Sequence, residues 1–294
     1  MAATAHRLDS EDSRLLDAVR GLRWQAARRP RRTVSGAHES RYLGPSAELN
    51  EYRPYRQGDE VRRIDWKLLA RTDRAYVRLA QDYSRTPTQF CLDASASMSW
   101  PVATRGKWRQ ARQITLGLAA AARAAGDPVG LSVASGSGDV TLPLEGRPGT
   151  LHTVARLLQG VTPGGNAAYR LPHTPRAQHR LVFIGDFLGE EAEFASLIAL
   201  TGQIVDRGGE VLAIHVVADE ELAPERKALA LFDVEDPSHR RNFDATGLVE
   251  YRDRFGAWRA DLAKCFRRRG AEFTLTRTSE PPAVAVMRIV RWLS

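Results

Sequence analysis

From residue 88 onward, short apolar runs alternate with amphipathic stretches of helical length, and few folds can accept that alternation. The strand candidates are Thr88–Leu92, Val129–Ala134, Val140–Leu144, Arg180–Ile184, Val211–Val217 and Glu272–Thr276. Between and after them lie the helix candidates Lys107–Ala125, Thr150–Leu158, Glu190–Asp206, Thr246–Arg268 and Ala283–Leu293. Leu181-Val182-Phe183-Ile184 is apolar at every position, the pattern of a strand covered by helices on both faces. Gly126-Asp127-Pro128 ends the first long helix in a turn. The expectation for residues 87–294 is an α/β domain of Rossmann type with a doubly wound, mostly parallel sheet.

Such a sheet holds ligands beyond the carboxyl ends of its strands. The first strand, Gln89-Phe90-Cys91-Leu92, runs into Asp93-Ala94-Ser95-Ala96-Ser97. Alternate side chains of an extended segment share one side, so Asp93, Ser95 and Ser97 converge. One carboxylate and two hydroxyls are hard oxygen donors, suited to Mg²⁺, Mn²⁺ or Ca²⁺. On the tripeptide alone, the competing reading is that the serines cap the next helix. A second acidic residue, Asp186, follows the strand ending at Ile184-Gly185. The loop Thr162-Pro163-Gly164-Gly165-Asn166 precedes that strand and lacks the Lys-Ser/Thr of a phosphate-binding loop.

The N-terminal third reads differently. Residues 1–32 give a helix from a cap at Ser10-Glu11-Asp12-Ser13 to about Arg28, with Leu15, Leu16, Val19 and Leu22 as its apolar stripe, followed by a basic linker. Residues 33–86 are punctuated by Gly and Pro and read as a small β-rich module, with a strand at Ala75–Leu79. Tyr52, Arg53, Asp59, Arg62, Asp65, Trp66 and Arg71 crowd one stretch of it. Bidentate Arg–carboxylate pairs and Arg–aromatic stacking can interlock such residues. They are expected to seat the module on the main domain, with a partner-docking surface as the second reading.

The formal charge is +8, and residues 1–85 hold 18 of the 43 basic and 12 of the 35 acidic residues, hence +6 of it. Arg28, Arg29, Arg31 and Arg32 could touch nucleic acid or an anionic surface. A solvated linker is preferred, because no aromatic interleaving accompanies them. Two cysteines make no disulfide framework; they read as reduced thiols of a cytoplasmic protein. No secretory signal and no apolar run near the roughly 20 residues of a membrane span is visible. His152, His173, His179 and His215 show no metal-ligand spacing, and His215 in its apolar strand reads as a core residue. A metal-dependent hydrolase is accordingly the last of the readings, and a non-enzyme is expected.

Asp93-x-Ser95-x-Ser97, Gly164-Gly165 and Asp186 resemble the metal-ion-dependent adhesion site of von Willebrand factor A-type domains. The run from Tyr52-Arg53-Pro54-Tyr55 through Gly58-Asp59, Arg62 and Ile64-Asp65-Trp66-Lys67 to Ala70-Arg71 resembles the signature of the family called domain of unknown function 58. That resemblance extends over roughly residues 33–293 and includes Leu231-Phe232-Asp233-Val234-Glu235. It implies a von Willebrand A-like domain preceded by a β-rich module. It also implies a partnership with a MoxR-type AAA+ ATPase in chaperone-like assembly or maturation. Transferred residue by residue, the cation ligands are Asp93, Ser95, Ser97 and Asp186, and a partner or client supplies an Asp or Glu. The family's second-loop ligand is a threonine directly after the glycines, and this chain has Asn166 there. Either the Asn166 amide substitutes, Thr162 swings in, or the site is weakened.

Overall fold

The computed structural model describes residues 8–25, 49–56, 61, 64–80, 86–136, 138–166, 169, 179–224, 230–232, 240–242 and 245–293. Its elements, in chain order, are α1 (Ser10–Ala18), β1 (Leu49–Pro54), α2 (Trp66–Thr72), β2 (Tyr76–Ala80), β3 (Thr88–Ala94) and α3 (Gly106–Ala124). There follow β4 (Val129–Ser135), β5 (Val140–Glu145), α4 (Thr150–Gly160), β6 (Arg180–Gly185), α5 (Glu191–Asp206) and β7 (Glu210–Val217). The last are α6 (Asp219–Leu222), β8 (Ala230–Phe232), β9 (Arg240–Asn242), α7 (Ala245–Arg268), β10 (Glu272–Arg277) and α8 (Pro282–Leu293). Two compact units result, one from residues 1–31 with 86–294 and one from residues 32–85.

The larger unit is the expected doubly wound α/β domain. Its six-stranded sheet runs β10-β7-β6-β3-β4-β5, parallel throughout except where β5 pairs antiparallel with β4. Successive residues of the central strands feed opposite cores, as a period of two demands. Phe90, Leu92, Val182, Ile184, Leu212 and Ile214 join a core closed by α1, α3, α4 and α8. Cys91, Leu181, Phe183, Val211 and Ala213 join a second core closed by α5 and α7. Chain order reverses at β3, whose neighbours are β4 on one side and β6 on the other. A crevice beyond the strand ends is therefore centred on β3 and β6.

The N-terminal segment packs on the main domain, with Leu15, Val19 and Trp24 inside the first core. Two expectations for it are corrected. Asp9, not Ser10, caps α1, accepting the Asp12 N–H at 2.7 Å. The helix stops at Ala18 and does not reach Arg28. Gly21 takes a left-handed φ of 83°, and the Trp24 N–H turns to the Ala121 carbonyl at 3.1 Å. A backbone bond to α3 and complete burial of the Trp24 ring outweigh local helix propensity.

In the smaller unit, β1 and β2 pair antiparallel, joined through α2. Asp65 is the N-cap of α2, its Oδ1 accepting from Lys67 N (3.0 Å) and Leu68 N (3.1 Å). Trp66, the first residue of α2, is 58% exposed. Arg71 is also exposed. Tyr52 and Arg53 lie on β1. Asp59, Arg62, His173 and the arginines at 28, 29, 31 and 32 lie outside the described residues.

Candidate functional site

The carboxyl ends of β3, β4, β6 and β7 bring together loops that are far apart in sequence. Asp93 (2% exposed), Ser95 (1%), Ser97 (7%) and Asp186 (1%) are all buried at this edge. Asp93 Oδ1 accepts the Ser95 N–H at 2.8 Å, which folds the chain back and aims both serines the same way. The Ser95 and Ser97 hydroxyl oxygens lie 2.9 Å apart and share a hydrogen bond. Two oxygens held by one Mg²⁺ at about 2.1 Å, at right angles, are also separated by about 3 Å. Neither serine forms a side-chain cap of the short 3₁₀ turn at Ala96–Ser99, so the capping alternative finds no support here.

The glycine loop is stitched to the first loop on both sides of Ser95. Gly164 N–H donates to the Ala94 carbonyl, and Ala96 N–H donates to the Gly165 carbonyl, each at 2.9 Å. Gly136, after β4, donates to the Gly164 carbonyl at 2.8 Å. A Cβ on Gly136 would stand 2.6 Å from that oxygen, so the close approach requires glycine. Asn166 follows directly and is exposed, as is Thr162. The expected ligand loop is thus at the site, with its amide at the rim.

Asp186 departs from the expected free ligand. Its Oδ1 accepts the Leu188 N–H at 3.0 Å, which bends the chain at Phe187 into a left-handed φ of 56°. The Phe187 ring holds that conformation, packed against Tyr169, Phe266 and His215. Its Oδ2 is 2.8 Å from Lys107 Nζ, and the same ammonium lies 2.7 Å from Glu221 Oε1. Lys107 is 1% exposed. Burial alone would lower its pKa, but the two carboxylates outweigh burial and raise it. The ammonium therefore stays charged.

Neither Lys107 nor Glu221 was singled out by its sequence. A signal existed for Lys107, which sits in register with Ala111, Ile114 and Leu118 on the buried stripe of α3. A lysine on such a stripe calls for a partner. Tyr169 is the third missed residue. Its hydroxyl is buried without a hydrogen-bond partner, and burial, followed by Asp93 and Asp186, pushes its pKa well above the usual value. Tyr169 and Asp93 line a cavity of about 290 Å³ together with Phe187, Glu190, Phe194 and Leu197.

Among the described residues, no three of His, Cys, Asp and Glu come together as metal ligands, so an ion at this edge would depend on hydroxyls. The donor set fits a hard dication at Asp93, Ser95 and Ser97. The fit is incomplete at Asp186, whose two oxygens already have donors. His215 is buried as expected, and burial holds its pKa down to about 3.

A family model described as "Protein of unknown function DUF58" matches residues 51–261, well over half of the chain. The chain belongs to the DUF58 family. Its DUF58 relatives by sequence include uncharacterized protein Rv1480 of Mycobacterium tuberculosis and uncharacterized protein Mb1516 of Mycobacterium bovis. Each is 28% identical over 97% of this chain and 91% of the relative. Among solved structures, the chain is similar to the SpRpn10 VWA domain, at a TM-score of 0.35 and 11% identity over 70% of this chain and 95% of that one. It is also similar to the pilus adhesin SpaC of Lactobacillus rhamnosus GG, at a TM-score of 0.42 and 11% identity. That match spans 72% of this chain and 31% of the adhesin.

Proposed function

We propose that this DUF58 chain is a non-catalytic protein-interaction module that works in the cytoplasm with a MoxR-type AAA+ ATPase, in chaperone-like assembly or maturation. It meets its partner or client at the carboxyl edge of the sheet. One observation supports this above the rest: the Ser95–Ser97 hydroxyl pair, Asp93 and the Gly164-Gly165 loop are hydrogen-bonded into one preorganised edge at the chain reversal between β3 and β6. Exposed apolar residues belong to the same loops, with Leu188 at 40% and Val102 at 64% exposure.

In this proposal Asp93, Ser95 and Ser97 hold a divalent cation, with Asn166 at the rim, while Asp186 stays paired with Lys107. When bound, the ion would supply a positive charge that an Asp or Glu of the partner can ligate. The protein side chains supply the rest. Asp93 orients the serines, the glycine loop keeps the edge open, and Leu188 offers an apolar contact beside it. Among the described residues, His215 is a poor base for either serine, since its burial among Phe187, Trp258 and Phe273 disfavours the protonated ring that a base must become.

The test is binding of the purified chain to the MoxR-type ATPase of the same organism, with Mg²⁺ and with a chelator. Asp93→Ala is expected to abolish cation-dependent binding while the thermal melt stays cooperative. Binding retained by Asp93→Ala, or indifferent to the chelator, would sink the cation-bridged contact.

A further inference from the structure

The sheet edge carries its own cation. Lys107 belongs to a helix built into the first core, yet its Nζ reaches the carboxyl ends of β6 and β7, 2.8 Å from Asp186 and 2.7 Å from Glu221. Both carboxylates are fixed from behind. Asp186 Oδ1 is held by the Leu188 N–H at 3.0 Å. Glu221 Oε2 accepts the Ala218 N–H at 2.7 Å, and the Glu221 carbonyl accepts from the Tyr251 hydroxyl at 3.1 Å. The ammonium is thus clamped between two oriented anions rather than resting on a flexible surface pair. Lys107 takes one lone pair of Asp186 Oδ2 and the Leu188 N–H takes one of Oδ1. The remaining lone pairs face an ammonium 2.8 Å away, which repels a dication drawn to the same carboxylate.

We propose that Lys107 is the built-in counter-ion of the edge: it occupies Asp186, excludes that carboxylate from the coordination of a divalent cation, and so keeps the edge's own affinity for Mg²⁺ or Mn²⁺ low. The proposal rests on the cation-bridged contact described above and specifies it. The ion is held by Asp93, Ser95 and Ser97, and the second carboxylate it needs comes from the partner. Partner and ion then bind together, each weakly without the other. A lysine whose only task was to join α3 to β6 and β7 would stabilise the fold without altering cation affinity, and this separates the two roles.

The probe is Mn²⁺, titrated into the full chain while free ion is followed by electron paramagnetic resonance. Lys107→Met alone would strand two buried carboxylates, so it is combined with Glu221→Gln, which keeps the net charge and releases Asp186. This double variant is expected to bind Mn²⁺ about tenfold or more tightly than the wild type, the scale on which outer-shell changes move metal affinity. Asp186→Asn, close to isosteric, is expected to leave wild-type binding unchanged, and Lys107→Arg, which keeps the charge, likewise. Equal affinity in wild type and double variant, or loss of binding in Asp186→Asn, overturns the role of Lys107 and leaves a cation-binding edge in place. Binding by the double variant but not by the wild type upholds Lys107 as the excluding charge, with the wild-type edge then taking its ion only together with the partner's carboxylate. No binding by either overturns both.

Discussion

Gly185 lies where β6 passes closest to the site. A Cβ there would overlap the Tyr169 hydroxyl and come 2.7 Å from the Asp93 Cβ. Gly185→Ala is expected to push Asp93 out of line, lower stability by about 1–3 kcal/mol, and weaken partner binding by more than the stability loss explains. A denaturant melt alongside a binding titration separates the two effects. His215 makes a prediction of opposite character. Burial, aided by Lys107 and Arg259, lowers its pKa to about 3, against the raising influence of Asp186. Below about pH 6.5 the unfolded chain takes up a proton that the folded one refuses until about pH 3. Stability should therefore fall with pH through that window, by roughly 1 kcal/mol per unit, and His215→Phe should flatten this slope in urea melts at pH 7 and pH 5. That His215 belongs to the core was legible from its apolar strand. Its contact with the Phe187 that shapes Asp186 was not, because the two are joined only by packing.

At the scale of elements, the strands and helices of the α/β domain follow the apolar patterning closely. Six strand candidates became the six strands of one sheet. The four central ones are runs buried on both faces, which have few alternatives. The elements that escaped the sequence are short or tertiary in origin, such as α2 and α6. The loop after β4 is another case. Gly136 is one glycine among 23 by sequence, but in space it abuts Gly164 and Gly165. Gly136→Ala is expected to force the β4 loop away from the glycine pair, costing about 1–3 kcal/mol and weakening partner binding. Wild-type stability and binding in this variant would show that the loops do not need their close approach. The end of α1 followed the same logic in reverse, since a helix that looked longer gave way to burial of Trp24.

For the molecule as a whole, the end of the sheet opposite the site is closed by Arg180 on β6. Its guanidinium lies 4.1 Å from the centroid of the Trp24 ring, donates to the Gln25 carbonyl at 2.9 Å, and pairs with Glu210 at 2.9 Å. Asp127, 3.9 Å from Arg180, accepts the Thr86 N–H at 2.8 Å. Residues 25 and 86, which flank the smaller unit in sequence, are thus fixed by one buried network. Removing its only partly compensated cation should be costly. Arg180→Met is expected to destabilise the chain by about 3–5 kcal/mol in a denaturant melt. A loss below about 1 kcal/mol would mean that the surrounding core holds these segments without it.

The sequence by itself determined the layered α/β domain. Alternating apolar runs and helical stripes leave one economical way to bury both faces of a sheet, and the reversal of strand order follows from the connections between them. It also determined that Asp93, Ser95 and Ser97 share an edge, because their spacing is local. Tertiary structure alone decided what Asp186 faces. Lys107 is 79 residues from Asp186 and 114 from Glu221 along the chain, and no local pattern announces such a pairing. A buried ammonium must find its carboxylates wherever the fold places them, and only the packing of α3 across the sheet places these two within its reach.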